Sequence, residues 1–180
     1  MPATVLVGAQ FGDEGKGKVI DVISPRYDVV VRFNGGANAG HTVTVGSEVY
    51  KLHLLPSAIL HSNVRCLLAA GVAVDPEVLS EELSALKARG VEIIPKQLGI
   101  DPRCPLVLPW HKLLDGARED TAFRIGTTKR GIGPAYEDQA ARTGLRFEDL
   151  LHPARFKKRL HATYQLHHQV LEGGYHAILP

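Results

Sequence analysis

Residues 8–18, Gly-Ala-Gln-Phe-Gly-Asp-Glu-Gly-Lys-Gly-Lys, hold the densest chemistry in this 180-residue chain. Three glycines, two lysines and two acids fall within residues 12–18. Glycines let backbone N–H groups close on an anion, and a helix N-terminus adds partial positive charge. Lys16 adds a full charge at the same place. The loop therefore reads as a binding site for a nucleotide's phosphates. It is not a standard Walker A loop, G-x-x-x-x-G-K-[ST]. Gln10 stands where the first glycine belongs, and Gly17 where a Mg²⁺-binding hydroxyl belongs. A carboxylate pair, Asp13-Glu14, sits inside the loop instead. Phosphates repel such carboxylates unless a cation intervenes or the carboxylate does proton chemistry. A purely structural turn with two solvated acids explains this composition less well.

Such a loop needs a strand before it and a helix after it. Thr4-Val5-Leu6-Val7 is expected to be that strand, and Lys18–Ile23 the helix. Asp28–Phe33 reads as a second strand. Asn34–His41 is a loop with three glycines. Thr42–Val45 and Val49–Leu54, split by Gly46-Ser47-Glu48, read as a β-hairpin. Pro56–Ser62 is a short helix or turn, and Arg65–Ala70 a buried parallel strand. Asp75 caps a helix with Pro76 in its first turn and Gly90 at its end; Val78, Leu79, Leu83 and Leu86 form the apolar stripe. Strand candidates follow at Ile93-Ile94, Gln97–Ile100 and Pro105–Leu108. Helices are expected at Trp110–Asp120, Pro134–Arg142 and Pro153–Leu171. Alternation of this kind predicts an α/β fold, a mainly parallel sheet flanked by helices, with a hairpin inserted after the second strand.

Composition narrows the function classes. Net charge is +2, too small to argue for nucleic acid or a membrane surface. A hydrophobic fraction of 44% and a charged fraction of 22% are ordinary for a globular chain. Cys66 and Cys104 lack metal-ligand spacing and suit a reduced, cytoplasmic protein better than a disulfide scaffold. The N-terminus does not resemble a signal peptide, and no stretch reaches the roughly 18 apolar residues of a membrane span. Nine histidines invite a metal site, but none has His-x₃-His spacing. His161, His167 and His168, with Arg155, Lys157, Lys158 and Arg159, predict a solvated basic helix face. Trp110 reads as a core or interface residue.

Gly12–Lys18 resembles the N-terminal signature of adenylosuccinate synthetases, which join IMP to aspartate using GTP. Two further stretches are similar to that family: Asn34–Thr42, Asn-Gly-Gly-Ala-Asn-Ala-Gly-His-Thr, and Ile125–Tyr136, Ile-Gly-Thr-Thr-Lys-Arg-Gly-Ile-Gly-Pro-Ala-Tyr. Three long motifs in order make the resemblance specific. It implies a P-loop-NTPase-like fold, and Asp13 and His41 as catalytic residues. Asp13 would be the base at ring nitrogen 1 of IMP, and His41 a proton donor to a phosphate oxygen. Implied GTP contacts are Gly12, Asp13, Glu14, Gly15, Lys16, Gly17, Lys18, Gly40, His41 and Thr42. Implied IMP contacts are Asp13, Glu14, Gly15, Lys16, Asn38, Ala39, Gly40, His41, Thr128 and Arg142. Mg²⁺ would be held by Asp13 and the Gly40 carbonyl. Arg142 would reach the neighbouring subunit's site, implying a homodimer. By residue type alone, Arg142 reads as a surface ion pair and Lys18 equally well as a solvated lysine. Glu14 serves either IMP or a local ion pair. Lys129 falls where many bacterial members carry glycine and others lysine.

The resemblance covers residues 4–150 and fades beyond them. Family chains are more than twice this length, and the aspartate loop and guanine-reading segment of their later half do not appear here. The chain therefore reads as the N-terminal part of a larger single-domain synthetase, cut near residue 180. Two readings stay open: a carbon–nitrogen ligase or part of one, and a nucleotide-binding module without turnover.

Overall fold

Local signals set most element boundaries in the computed structural model, which describes residues 3–10, 14–122 and 124–179. Helix α1 (Lys16–Ile23) leads to strand β1 (Val29–Arg32) and a hairpin of β2 (His41–Val45) and β3 (Glu48–Leu52). Strand β4 (Arg65–Leu68), helix α2 (Pro76–Ala88) and strand β5 (Leu98–Ile100) follow. Helices α3 (Pro109–Glu119), α4 (Ile132–Ala141) and α5 (Pro153–Tyr175) complete the order, with single 3₁₀ turns at Ser24–Arg26, Ser57–Leu60 and Phe147–Leu151.

β1, β4 and β5 form a parallel sheet in the order β1-β4-β5. Val30 pairs with Cys66, and Cys66 with Leu98. The central strand is the buried one: Cys66 and Leu68 are sealed, as are Leu54, Leu55, Ile59, Val72, Val74 and Leu106 around it. Both cysteines are free and buried, and burial pushes their thiols up to about 12 for Cys66 and about 11 for Cys104, so neither is a reactive thiolate. The hairpin pairs antiparallel, His41 with Leu52 and Val43 with Tyr50. It docks on the end of α2, where the Arg89 guanidinium lies 3.9 Å from the Tyr50 ring centroid and donates to the Val49 carbonyl at 2.7 Å. The α/β class, the mainly parallel sheet and the hairpin agree with expectation.

Helix α2 illustrates why. Asp75 Oδ1 accepts the Glu77 and Val78 amides at 3.1 and 3.4 Å, Pro76 opens the first turn, and Gly90 leaves the helix at φ +78°. These are contacts between near neighbours, so the sequence displays them.

Several expectations need correction, and Ile93-Ile94 forms no strand, β5 being confined to Leu98–Ile100. Thr4–Val7 is not a strand; it forms no ladder, and an apolar trough lined by Val5, Leu6, Ile20, Tyr27, Val29 and Val31 lies between it and β1. The hairpin thus follows the first strand of the sheet. Pro105–Leu108 makes only isolated bridges, Val74 with Leu106 and Pro105 with Arg146, because Pro105 lacks an N–H and Pro109 starts a helix. Helix α4 begins at Ile132, two residues early, because Gly131 at φ +75° caps it. Helix α5 runs on to Tyr175. No helix among the described residues is long and apolar enough to cross a membrane.

Candidate active site

The first glycine-rich loop enters α1 through Gly15, whose φ of +72° is left-handed and suits glycine. No side chain caps α1 among the described residues, so its first-turn amides lack a side-chain acceptor. Gly12 and Asp13 lie outside the described residues. The Glu14 carboxylate accepts the Gln10 amide and pairs with Lys16. The Lys16 ammonium, then the Gln10 amide, hold its carboxyl below the ordinary range. Of the two readings of Glu14, the local ion pair is the one formed here. Lys18 and Thr42 are exposed.

Gly17 explains the missing hydroxyl. A Cβ there would stand 2.6 Å from the His41 Cβ, so only glycine lets the two loops touch. The Gly17 carbonyl also accepts the Ser57 hydroxyl at 2.8 Å. His41 opens β2, and its Nε2 lies 3.0 Å from the Leu55 carbonyl oxygen. A carbonyl only accepts, so Nε2 carries the proton and Nδ1 is left for a ligand. Burial, then the nearby Arg32 cation, push the His41 pKa below its ordinary value. The ring is therefore neutral at neutral pH.

The second loop is held from behind. Arg32 donates to the carbonyls of His53 at 2.7 Å, Leu54 at 2.8 Å and Gly36 at 2.5 Å. Tyr136 on α4 accepts the Gly35 amide at 3.1 Å and donates to the Gly71 carbonyl at 2.6 Å. Asn38 Oδ1 accepts the Gly36 amide at 3.2 Å, while Ala39 and Gly40 are exposed. Gly40 faces the His53 ring, which a Cβ would approach to 3.3 Å. Buried Glu82 on α2 accepts the amides of Leu54 and Leu55. Sequence reasoning missed Arg32, Glu82 and Tyr136. The available signal for Glu82 was its spacing: it falls between Leu79 and Leu86, on the face that turns inward.

The third stretch is only partly joined to the others. Ile132 and Tyr136 pack on Gly35-Gly36, but Thr128 and Arg142 are exposed and make no hydrogen bond to Lys16, Asn38 or His41 among the described residues. Lys129 has φ +55° and Arg142 φ +63°. The first value is a backbone conformation that suits glycine better than lysine, the two residues expected at this position. Arg142 lines a pocket with Arg146, Arg155 and Arg159.

His167 is not on a solvated face. It is buried, stacked on Trp110 at 5.6 Å, and its Nε2 lies 2.8 Å from Asp138 Oδ2. His111 Nε2 lies 3.1 Å from the same oxygen. These three residues place their ligand atoms within 4.8 Å of one another. However, both His111 nitrogens are already engaged: Nδ1 accepts the Leu108 amide at 3.0 Å, and Nε2 lies 3.0 Å from the Trp110 indole nitrogen as well as beside the carboxylate. The arrangement is a hydrogen-bonded clasp between α3, α4 and α5. Trp110 is core, as one of its two readings had it.

The chain matches the adenylosuccinate synthetase family over residues 5–179, past the expected limit at 150. It is 56% identical over 162 residues to adenylosuccinate synthetase of Moorella thermoacetica, covering 89% of this chain and 38% of that protein. The Azotobacter vinelandii adenylosuccinate synthetase is 49% identical over 173 residues, covering 95% of this chain and 40% of that one. The solved structure of fully ligated adenylosuccinate synthetase from Plasmodium falciparum is similar at a TM-score of 0.83 and 36% identity, covering 93% of this chain and 39% of that chain. The chain spans about two fifths of the length of these relatives.

Proposed function

This chain belongs to the adenylosuccinate synthetase family, and from that premise we propose that it supplies the phosphate-handling and proton-transfer part of a GTP-dependent ligase joining IMP to L-aspartate. The observation that supports the reading is the packing of Gly17 on His41, which brings together two loops distant in sequence.

In this reading Asp13 takes the proton from ring nitrogen 1 of IMP. Oxygen 6 then attacks the γ-phosphate of GTP, the bond to the β,γ-bridging oxygen breaks, and GDP leaves 6-phosphoryl-IMP. The aspartate amine attacks carbon 6, loses a proton, and displaces phosphate to give adenylosuccinate. Phosphoryl transfer needs positioning and charge neutralisation more than covalent help from the protein. Gly15, Gly17 and the first-turn amides of α1 supply backbone donors. Lys16 exchanges Glu14 for phosphate oxygens. His41 meets the phosphate through Nδ1, since Nε2 is engaged by Leu55. Its depressed pKa makes the protonated ring a strong donor, and an incoming phosphate dianion favours that protonated form. Asn38 contacts IMP through its amide, with Ala39 beside it. Thr128 and Arg142 bind the IMP phosphate, Arg142 across a homodimer interface, where a guanidinium fork suits phosphate.

The donor set proposed for Mg²⁺ is hard oxygen, the Asp13 carboxylate and the Gly40 carbonyl, which fits that ion. Gly40 has no side chain to cover its backbone, and the His53 ring closes its other side. When bound, the ion neutralises phosphate charge. Cytoplasmic location follows from the substrates in this reading.

A second reading has its own support. In that reading this chain, which spans 38–40% of the length of its relatives, binds nucleotide without turnover. Purified chain is given IMP, GTP, aspartate and Mg²⁺, and adenylosuccinate is followed, with Asp13→Asn as control. Product from wild type but not from the variant supports the ligase reading and makes these residues sufficient. Nucleotide binding without product in either supports the second reading. Loss of binding as well as turnover in the variant overturns the assignment of Asp13 as base.

A further inference from the structure

We propose that Glu82 is a positioning residue for His41, acting through the backbone of His53–Leu55 to hold the imidazole in the tautomer that offers Nδ1 to a ligand. The proposal rests on the reading of His41 as a phosphate-facing group.

Glu82 is 7% exposed and sits on the inward face of α2. Its Oε1 accepts the His53 amide at 2.5 Å and the Leu54 amide at 3.1 Å, and its Oε2 accepts the Leu55 amide at 2.9 Å. Only a carboxylate can accept three amides with two oxygens and have no donor of its own in the way. Arg32 takes the opposite side of the same segment, holding the His53 and Leu54 carbonyls. One carbonyl of the three is left, that of Leu55, and it receives His41 Nε2 at 3.0 Å.

The next residue strengthens the case. Pro56 has no N–H, so no turn closing on its own amide fixes the Leu55 peptide. The orientation of the Leu55 carbonyl is set instead by the grip on residues 53–55. One step further, Ser57 donates to the Gly17 carbonyl at 2.8 Å. The segment 53–57 is thus a base plate under both glycine-rich loops, and Glu82 is the buried charge that anchors it.

The test is nitrogen-15 NMR of the imidazoles in the labelled 180-residue chain at neutral pH. Wild type is expected to show His41 as a single Nε2–H tautomer. Glu82→Gln sets an amide NH₂ against backbone N–H groups and is expected to lose that single-tautomer signature. The signals of His111 and His167, buried among α3–α5, should stay unchanged and report an intact fold. If Glu82→Gln does not fold, Glu82→Asp carries the same readout, since it keeps the charge but shortens the reach. A folded variant with an unchanged His41 signature overturns the proposal, and so does an Nδ1–H tautomer in wild type. Addition of GTP, IMP and Mg²⁺ tests the underlying reading separately. A His41 signal that ignores them counts against a phosphate-facing His41 and leaves the tautomer result standing.

Discussion

Gly17 decides at one position whether the two loops can meet. Alanine would be the better helix former there by about 1 kcal/mol. Its Cβ, however, would stand 2.6 Å from the His41 Cβ, and overpacking of this kind costs about 1–3 kcal/mol. The two effects largely offset in stability, so the damage should appear in function. Gly17→Ala is expected to melt within a few degrees of wild type while weakening the proposed GTP binding at least tenfold by calorimetry. A variant that binds as wild type would show that the loops need not touch. The left-handed backbone at Lys129 belongs to this scale too. A non-glycine residue there carries roughly 1–2 kcal/mol of strain, so glycine suits the position better than lysine.

Helices α3, α4 and α5 meet at one carboxylate. Burial alone would raise the Asp138 pKa, but the hydrogen bonds from His111 and His167 outweigh it and hold the carboxyl well below the usual range. Burial lowers the His111 pKa, and Asp138 restores it only in part. Both folded-state values lie below their unfolded ones, so both groups bind more protons when unfolded, and both contributions are lost on acidification. The fold should weaken first as pH falls below about 6.5, where unfolded histidine takes up a proton, and again below about 3.9, where unfolded aspartate does. Urea denaturation across this range checks the order. Hydrogen bonds to a charged group are worth about 1.5–3 kcal/mol each, so Asp138→Asn, which keeps one acceptor oxygen, is expected to lose about 2–4 kcal/mol. The same substitution should remove the lower acid step and leave the upper one. Both steps surviving unchanged would exclude Asp138 as the origin of the lower one.

The whole molecule presents an open apolar edge. Among the described residues β1 pairs on one side only, with β4, and Val29, Val31 and Phe33 line one face of it at 43–49% exposure. Val5 and Val7 across the trough are exposed as well. Contiguous exposed apolar surface beside an unpaired strand promotes association. The chain is expected to self-associate as its concentration rises, and Val31→Lys to shift it toward monomer, as read by sedimentation velocity. A monomer at all concentrations would mean that the edge is protected.

What the sequence determined by itself was local or compositional. The spacing of glycines, lysines and acids in residues 12–18 marked a candidate anion loop, and Asp75, Pro76 and Gly90 bounded α2, because capping and turn geometry act between neighbours. The β-hairpin was legible for the same reason. What only the tertiary structure decided was which distant groups meet. Thr4–Val7 has a strand's composition but forms no ladder among the described residues, because propensity does not by itself make the pairing, even with the β1 edge across the trough. His167 looked solvated among basic neighbours, yet Asp138, 29 positions away, draws it inward. Glu82 looked like one more helix acid, yet it anchors the segment on which His41 rests. Buried charges and close backbone contacts of this kind are set by packing between elements, and no local pattern encodes which residue will stand opposite.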